Sequence, residues 1–220
     1  MSLVSDNLRR VQAQIAVAAE RSGRDPSEIT VVAVTKTKPV ELAREAFIAG
    51  TLNLGENYVQ EAVAKRDALP EAHWHFLGHL QTNKAKAAVQ TFDLIQSVDS
   101  VKLAQTLGRN ALAIGKTQAV LLQVHLGDEA TKFGLLPQEV LETADVVSGI
   151  AGLELKGLMG IAPNNEDPIP YFRQLRGLWE HLPQSQRQIL SMGMTGDFEA
   201  AIAEGTTMLR IGTAIFGSRA

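Results

Sequence analysis

The sequence predicts an α/β fold, a closed (β/α)8 barrel preceded by one extra helix. Three observations predict it. Eight short apolar runs have the composition of strands, and each but the last is followed by a segment with helical periodicity. The runs are mostly continuous rather than alternating in hydropathy, as expected of a parallel sheet covered by helices. Eight such units fit within 220 residues with no linker or low-complexity tract between them. A doubly wound open sheet is the competing architecture, but it usually needs fewer strands. Residues 1–220 therefore read as one domain, with residues 1–23 as its leading helix.

In that first segment Leu8, Val11, Ile15 and Ala18 recur at helical spacing, and Gly23 and Pro26 close it. Ile29–Thr35 is the first strand. Pro39 then opens a helix whose buried face carries Leu42, Ala46 and Phe47, and Gly50 ends it. Thr51–Leu54 reads as the second strand, ending in a Gly55-Glu56-Asn57 turn, with Val59, Ala62, Val63 and Leu69 on the helix beyond. His73–Leu77 is the third strand, and a helix follows over residues 83–91. Asp93–Val98 is the fourth, and Ser100 suits the N-cap of a helix carrying Val101, Ala104 and Leu107. Gln118–His125 is strongly apolar, and Pro137 opens a helix running to Ser148. Leu153–Gly160 is the sixth strand, before a helix marked by Phe172, Leu175, Trp179 and Leu182. Ile189–Met192 and Thr207–Ile211 complete the set, and Asp197 is placed to cap a short helix between them.

Composition narrows the function. Lys plus Arg number 21 against 24 Asp plus Glu, a net charge of -3, so no general cationic field exists for nucleic acid or an acidic membrane. The absence of cysteine excludes a disulfide scaffold, a thiol nucleophile and Cys-ligated metal. The first 23 residues have neither a signal peptide's apolar core nor a membrane anchor's length, and a cytoplasmic location is expected.

In such barrels function sits at the C-terminal ends of the strands. Two of these ends are glycine loops, Ser191-Met192-Gly193-Met194-Thr195-Gly196-Asp197 and Arg210-Ile211-Gly212-Thr213. They follow the seventh and eighth strands, where phosphate sites are commonly built. Ser191, Gly193, Gly212 and Thr213 supply small residues and hydroxyls suited to an anion. A single glycine commonly does no more than end a strand, but two such loops in the expected places favour a site. Arg210 is the only charge between Thr206 and Gly217, and at the end of a buried strand it requires a carboxylate or a ligand as partner. Lys36 shares strand parity with Val32 and Val34, which carries its amine to the barrel mouth, where desolvation favours a nucleophile. The alternative is a lysine that merely snorkels. His73, His75 and His79 invite a metal reading, but Glu56 is the only obvious carboxylate near them, and packed histidines explain the pattern better.

Taken in order, these segments resemble the pyridoxal phosphate homeostasis proteins (the YggS/PROSC type). These are single-domain barrels of fold type III, similar to the TIM-barrel N-terminal domain of alanine racemase. The resemblance covers nearly the whole chain. It rests on Ala33-Val34-Thr35-Lys36-Thr37-Lys38-Pro39, Gly55 to Glu61 and Trp74 to Gln81. It also rests on Glu129 to Gly134, Gly157 to Gly160, Ser191 to Met194, and Arg210 to Gly217. Thr35 stands where the family usually has Ser, and Thr195 where it often does.

The resemblance implies that Lys36 holds pyridoxal 5′-phosphate as an internal aldimine. It places Ser191, Gly193, Gly212 and Thr213 at the cofactor phosphate and Arg210 at the pyridine nitrogen. Asn57, His75 and Met159 would line the ring pocket, with Met192 nearby. It further implies a monomer that buffers or delivers the cofactor, with pyridoxal-phosphate-dependent apo-enzymes as partners. A racemase is the main alternative. In the similar alanine racemases, however, the second base is a tyrosine from the partner subunit's second domain, and the only tyrosines here are Tyr58 and Tyr171. A phosphosugar or metal-dependent barrel enzyme is the third reading.

Overall fold

The computed structural model describes residues 2–127 and 133–217. Eight strands run in parallel and close on themselves in sequence order. They are β1 (Thr30–Val34), β2 (Asn53–Glu56), β3 (His73–Phe76), β4 (Leu94–Val98), β5 (Gln118–Val124), β6 (Leu153–Gly160), β7 (Ile189–Ser191) and β8 (Met208–Ile211). The helices are α1 (Leu3–Arg21), α2 (Val40–Ile48), α3 (Val59–Ala68), α4 (Ala85–Thr91), α5 (Val101–Leu112), α6 (Val140–Ser148), α7 (Ile169–Glu180), α8 (Phe198–Ala203) and α9 (Thr213–Phe216). The expected order of elements is present, with one addition. A single helical turn, α9, follows the last strand, where the hydropathy pattern ended at the strand itself.

Strand alternation sorts the side chains into two sets. Val32, Leu94, Leu121, Met159 and Met208 pack together inside the barrel. Their neighbours in the chain, among them Ala33, Ile95, Val120, Leu122, Leu158 and Leu209, join the core between sheet and helices. The N-terminal helix belongs to that outer core through Leu8, Val11, Ile15 and Ala19. It packs on α8 and α9, and Asn7 Nδ2 donates to the carbonyl of Ile215 at 2.9 Å. Arg24, just past its end, donates through Nη1 to the carbonyls of Ile202 and Thr206. The N-terminal helix and the residues just after it thus fasten α8 and α9.

Two local expectations are corrected. The second strand lies two residues later than its hydropathy suggests, because Leu52 is exposed rather than a strand core residue. Gly55 is consequently inside the strand, not in a turn. A Cβ there would lie 2.6 Å from Leu77 Cδ1 and 2.9 Å from Val32 Cγ1, so the glycine makes room for two side chains packed over it. Ser100 does cap α5, its Oγ accepting from the Leu103 N–H at 3.3 Å.

The β7–β8 pair is the sparsest junction of the barrel, with Ser191 opposite Met208 as its ladder pair. Threonine side chains reinforce it. Thr207 Oγ1 accepts from the Leu190 N–H at 2.8 Å, and Thr206 Oγ1 lies within hydrogen-bond distance of the carbonyls of Leu190, Met192 and Met208.

At the other side of β7 the backbone of β6 approaches very closely. The β5–β6 register passes from Val120 opposite Leu155 to Leu121 opposite Gly157, which leaves Lys156 as the extra residue of a bulge. Gly157 has φ of 150°, and a Cβ on it would fall 1.8 Å from the carbonyl oxygen of Ile189. Gly157→Ala is expected to destabilise the fold by at least about 2 kcal/mol, read from the urea midpoint. Gly177→Ala, in α7 with open space around it, serves as the contrast and is expected to stabilise by about 0.5–1 kcal/mol.

Candidate functional site

The parity of β1 carries Lys36 to the C-terminal mouth of the barrel. There it lines a cavity of about 280 Å³, close to the lower end of the roughly 300–1,000 Å³ found for small-molecule sites. Asn57, Arg210, Gly212 and Thr213 line the same cavity, so five of the predicted site residues converge. The remaining wall is Val34, Leu77, Ile161, Met194, Thr195 and Gly196. Lys36 itself is half-buried.

Below the cavity runs a chain of buried polar side chains. Arg210, only 4% exposed, donates from Nη2 to the Gly160 carbonyl at 2.9 Å and from Nη1 to Ser191 Oγ at 2.7 Å. Ser191 passes its own proton to Gln96 Oε1 at 2.7 Å. That fixes the amide: Gln96 Nε2 faces His75 Nδ1 at 3.0 Å, and His75 Nε2 faces Asn53 Oδ1 at 3.0 Å. Every partner is used if His75 is neutral with its proton on Nε2. Burial agrees, holding the imidazole pKa down to about 4. Burial also lowers Arg210, to about 10, while Asp197 pulls it back up. The guanidinium therefore stays charged at neutral pH.

The two glycine loops are joined to each other. Thr195 Oγ1 accepts from the Ala214 N–H at 3.3 Å, linking the β7–α8 loop to α9. Asp197 does not cap α8 with its side chain; its Oδ1 instead accepts from the Met194 N–H at 2.6 Å and closes the loop upon itself.

The other predicted site residues lie elsewhere. Ser191 sits beneath the cavity with its hydroxyl already engaged on both sides. Gly193 backs onto α8, where a Cβ would lie 2.5 Å from Ala201 Cβ, and its carbonyl accepts from the Arg210 N–H. Met159 is in the barrel interior with Val32 and Met208. Met192 belongs to the outer, helix-facing core. His75 is one layer down, in the polar chain.

Glu56 points out of the barrel, away from His75, and meets Lys65 and Thr35. His73 is exposed at the start of β3, and His79 pairs with Asp99 at 3.2 Å and stacks on Phe133. The three histidines thus face three different environments. Residues 129–132 of the quoted Glu129 to Gly134 segment lie outside the described residues.

Sequence reasoning missed Gln96, the hub of the polar chain. The available signal was a polar residue sharing the parity of Leu94 and Val98 in a short strand, though Ser97 beside it is polar and buried as well. It also missed the apolar wall residue Ile161, one position beyond the Met159-Gly160 strand end, whereas Leu77 lies within the strand end His75 to His79 that the same rule picks out.

Comparison with known proteins adds a family to this geometry. The profile of the alanine racemase N-terminal domain matches residues 7–220. The pyridoxal phosphate homeostasis protein of Vibrio alginolyticus is 40% identical, over 100% of this chain and 99% of its own length. The chain belongs to the pyridoxal phosphate homeostasis family. A solved relative is PipY of Synechococcus elongatus PCC7942 with PLP bound, 36% identical with a TM-score of 0.84 over 97% of this chain and 100% of that one. An alanine racemase of Clostridium difficile 630, at 18% identity and a TM-score of 0.74, shares the fold; the match covers 97% of this chain and 57% of the racemase. Among the described residues of this member of the homeostasis family, no helix is long and apolar enough to cross a membrane.

Two outcomes follow from the polar chain. Gln96→Leu would leave the Ser191 hydroxyl proton without its acceptor and His75 Nδ1 without its donor in the buried interior, and is expected to destabilise by about 2–4 kcal/mol in denaturant titration. The second concerns acid. An unfolded chain protonates His75 near pH 6.5, whereas the folded one waits until about pH 4. Stability is thus expected to fall as pH drops through that window, by about 3 kcal/mol in all, and to level off below it. Unfolding curves against pH, compared with those of His75→Gln, measure the difference.

Proposed function

We propose that this chain binds pyridoxal 5′-phosphate covalently through Lys36 and serves the homeostasis of that cofactor, without turning over a substrate of its own. The observation that carries the reading is the convergence of Lys36, Arg210 and the Gly212-Thr213 loop on one cavity at the barrel mouth. The donor set fits the cofactor. Lys36 offers an amine for its aldehyde, and the apolar wall of Val34, Leu77 and Ile161 suits its ring. Thr195, Gly196, Gly212 and Thr213 form a small-residue, hydroxyl-bearing cradle for its phosphate. The naming of full-length relatives and the cofactor in the PipY structure support the same reading.

When bound, the cofactor supplies a carbonyl that condenses with amines and a ring that withdraws electrons. This chain's residues would restrain that chemistry. Arg210 stays protonated, so toward a ring nitrogen it acts as a donor and leaves that nitrogen without a proton of its own. Its orientation is set by Gly160 and Ser191, and through Ser191 by Gln96. Neither Tyr58, exposed at the start of α3, nor Tyr171 on α7 lines the cavity opposite Lys36. This favours a carrier over an amino-acid racemase; in the proposed role the chain acts as a monomer in the cytoplasm, with pyridoxal-phosphate-dependent apo-enzymes as recipients.

Purified protein is expected to absorb in the visible as a yellow species that borohydride removes and that Lys36→Ala lacks. Mixed with a cofactor-free pyridoxal-phosphate enzyme, it is expected to restore that enzyme's activity while leaving D- and L-alanine unchanged. Racemisation lost on Lys36→Ala would instead identify an enzyme, and a protein that stays colourless with added cofactor would refute the binding role.

A further inference from the structure

The backbone that presents Lys36 adopts a conformation its own sequence disfavours. The Lys38 N–H donates to the Thr35 carbonyl at 3.0 Å, closing a four-residue turn with Lys36 and Thr37 at its centre. Thr37 has φ of 61°. That left-handed region at the third position of a turn is glycine's place, and a β-branched side chain there is strained. Something outside the turn must hold it.

Three side chains do. Glu61, in the first turn of α3, accepts the Thr37 N–H on Oε2 at 2.9 Å. Lys65, one helical turn further on, donates from Nζ to the Thr35 carbonyl at 2.8 Å and to Glu56 Oε1 at 2.5 Å. Thr35 Oγ1 donates to that same oxygen at 2.5 Å, and Lys65 stands 3.7 Å from Glu61. The Thr35 carbonyl therefore carries two donors, one from within the turn and one from α3. The pair is deeply buried, Glu56 at 0% and Lys65 at 6% exposure. Glu56 Oε2, also buried, has no hydrogen-bond partner among the described residues. An ion pair with an orphaned oxygen is a poor stabilising device, since apolar side chains of similar volume would avoid the desolvation cost. Its distinctive product is geometric, because it fixes the peptide on one side of Lys36 while Glu61 fixes the peptide on the other.

We propose that Glu61, Lys65 and Glu56 are positioning residues that clamp the Lys36 turn and so set how fast the lysine takes up and releases its cofactor. The inference rests on the cofactor reading above. In uptake the lysine nitrogen forms a bond to the aldehyde carbon, the C=O bond is replaced by C=N, and the oxygen leaves as water; release reverses each change. A turn held in place presents the nitrogen at one position to that carbon, and orientation of this kind is a large part of such rates.

The test compares wild type, Glu61→Ala, Glu61→Gln and Lys65→Met, each with and without Thr37→Gly. Amide hydrogen exchange at Thr37 and Lys38 is measured on cofactor-free protein, and growth of the borohydride-sensitive band after adding pyridoxal 5′-phosphate gives the uptake rate. Glu61 is partly exposed and can be replaced without opening the core, which keeps the comparison informative if Lys65→Met folds poorly. Glu61→Ala is expected to speed exchange and slow uptake by roughly five- to tenfold, the net value of one ordinary hydrogen bond, as befits a carboxylate that is partly exposed. Glu61→Gln keeps an acceptor oxygen and is expected to stay near wild type. Thr37→Gly removes the strain that the clamp opposes, so it is expected to restore most of the uptake rate lost in Glu61→Ala. Unchanged exchange, or a Thr37→Gly change that adds to the loss, overturns the clamp. A wild-type protein that never forms the band overturns the cofactor reading and the positioning role with it.

Discussion

Arg210 brings a full positive charge into the barrel at 4% exposure, with no carboxylate in ion-pair contact among the described residues. A buried guanidinium must be met by acceptors, and the polar interior can be followed outward from that requirement. The Gly160 carbonyl takes one N–H and Ser191 takes another. Accepting from Arg210 commits Ser191 to donate elsewhere, and Gln96 Oε1 is what it reaches. The amide is thereby oriented with its nitrogen toward His75, which selects one imidazole tautomer and one role for Asn53. Residues of β8, β7, β6, β4, β3 and β2 are thus joined in a single consistent direction of hydrogen bonding. Such a network specifies one arrangement where an apolar interior would accept several.

The cavity above this network is held from two sides by different means. Inside the barrel, side-chain hydrogen bonds orient Arg210. Outside it, contacts from α3 and β2 grip the backbone on either side of Lys36. The wall between them is largely apolar and carries few polar groups of its own. That division holds the Lys36 turn and the Arg210 cation in register by two separate sets of contacts.

Much of this was legible in the sequence. Continuous apolar runs separated by helical periodicity located all eight strands, because burial on both faces leaves a parallel strand little freedom in composition. Parity with Val32 and Val34 carried Lys36 to the mouth, and the glycine loops marked the opposite wall. What was not legible depends on contacts between distant segments. Gly55 looked like a turn residue, yet it is small because Leu77 and Val32 pack over it. Ser191 was read from its glycine loop alone, and nothing local shows that Arg210 and Gln96, 19 and 95 residues away, engage its hydroxyl. Thr37 carried no signal of strain at all, since φ cannot be read from a threonine in a polar loop. The helical turn after β8 is too short to show a period.

The seam between β7 and β8 has a consequence for how the site can move. Thr206 has one hydroxyl proton and three carbonyls within reach, those of Leu190, Met192 and Met208. Small changes in the spacing of the two strands exchange one acceptor for another without leaving the proton unbonded. A regular ladder would lose a hydrogen bond for the same displacement. The seam beside Ser191 and Arg210 is thus joined by a side chain with a choice of acceptors, where a regular ladder relies on fixed backbone pairs.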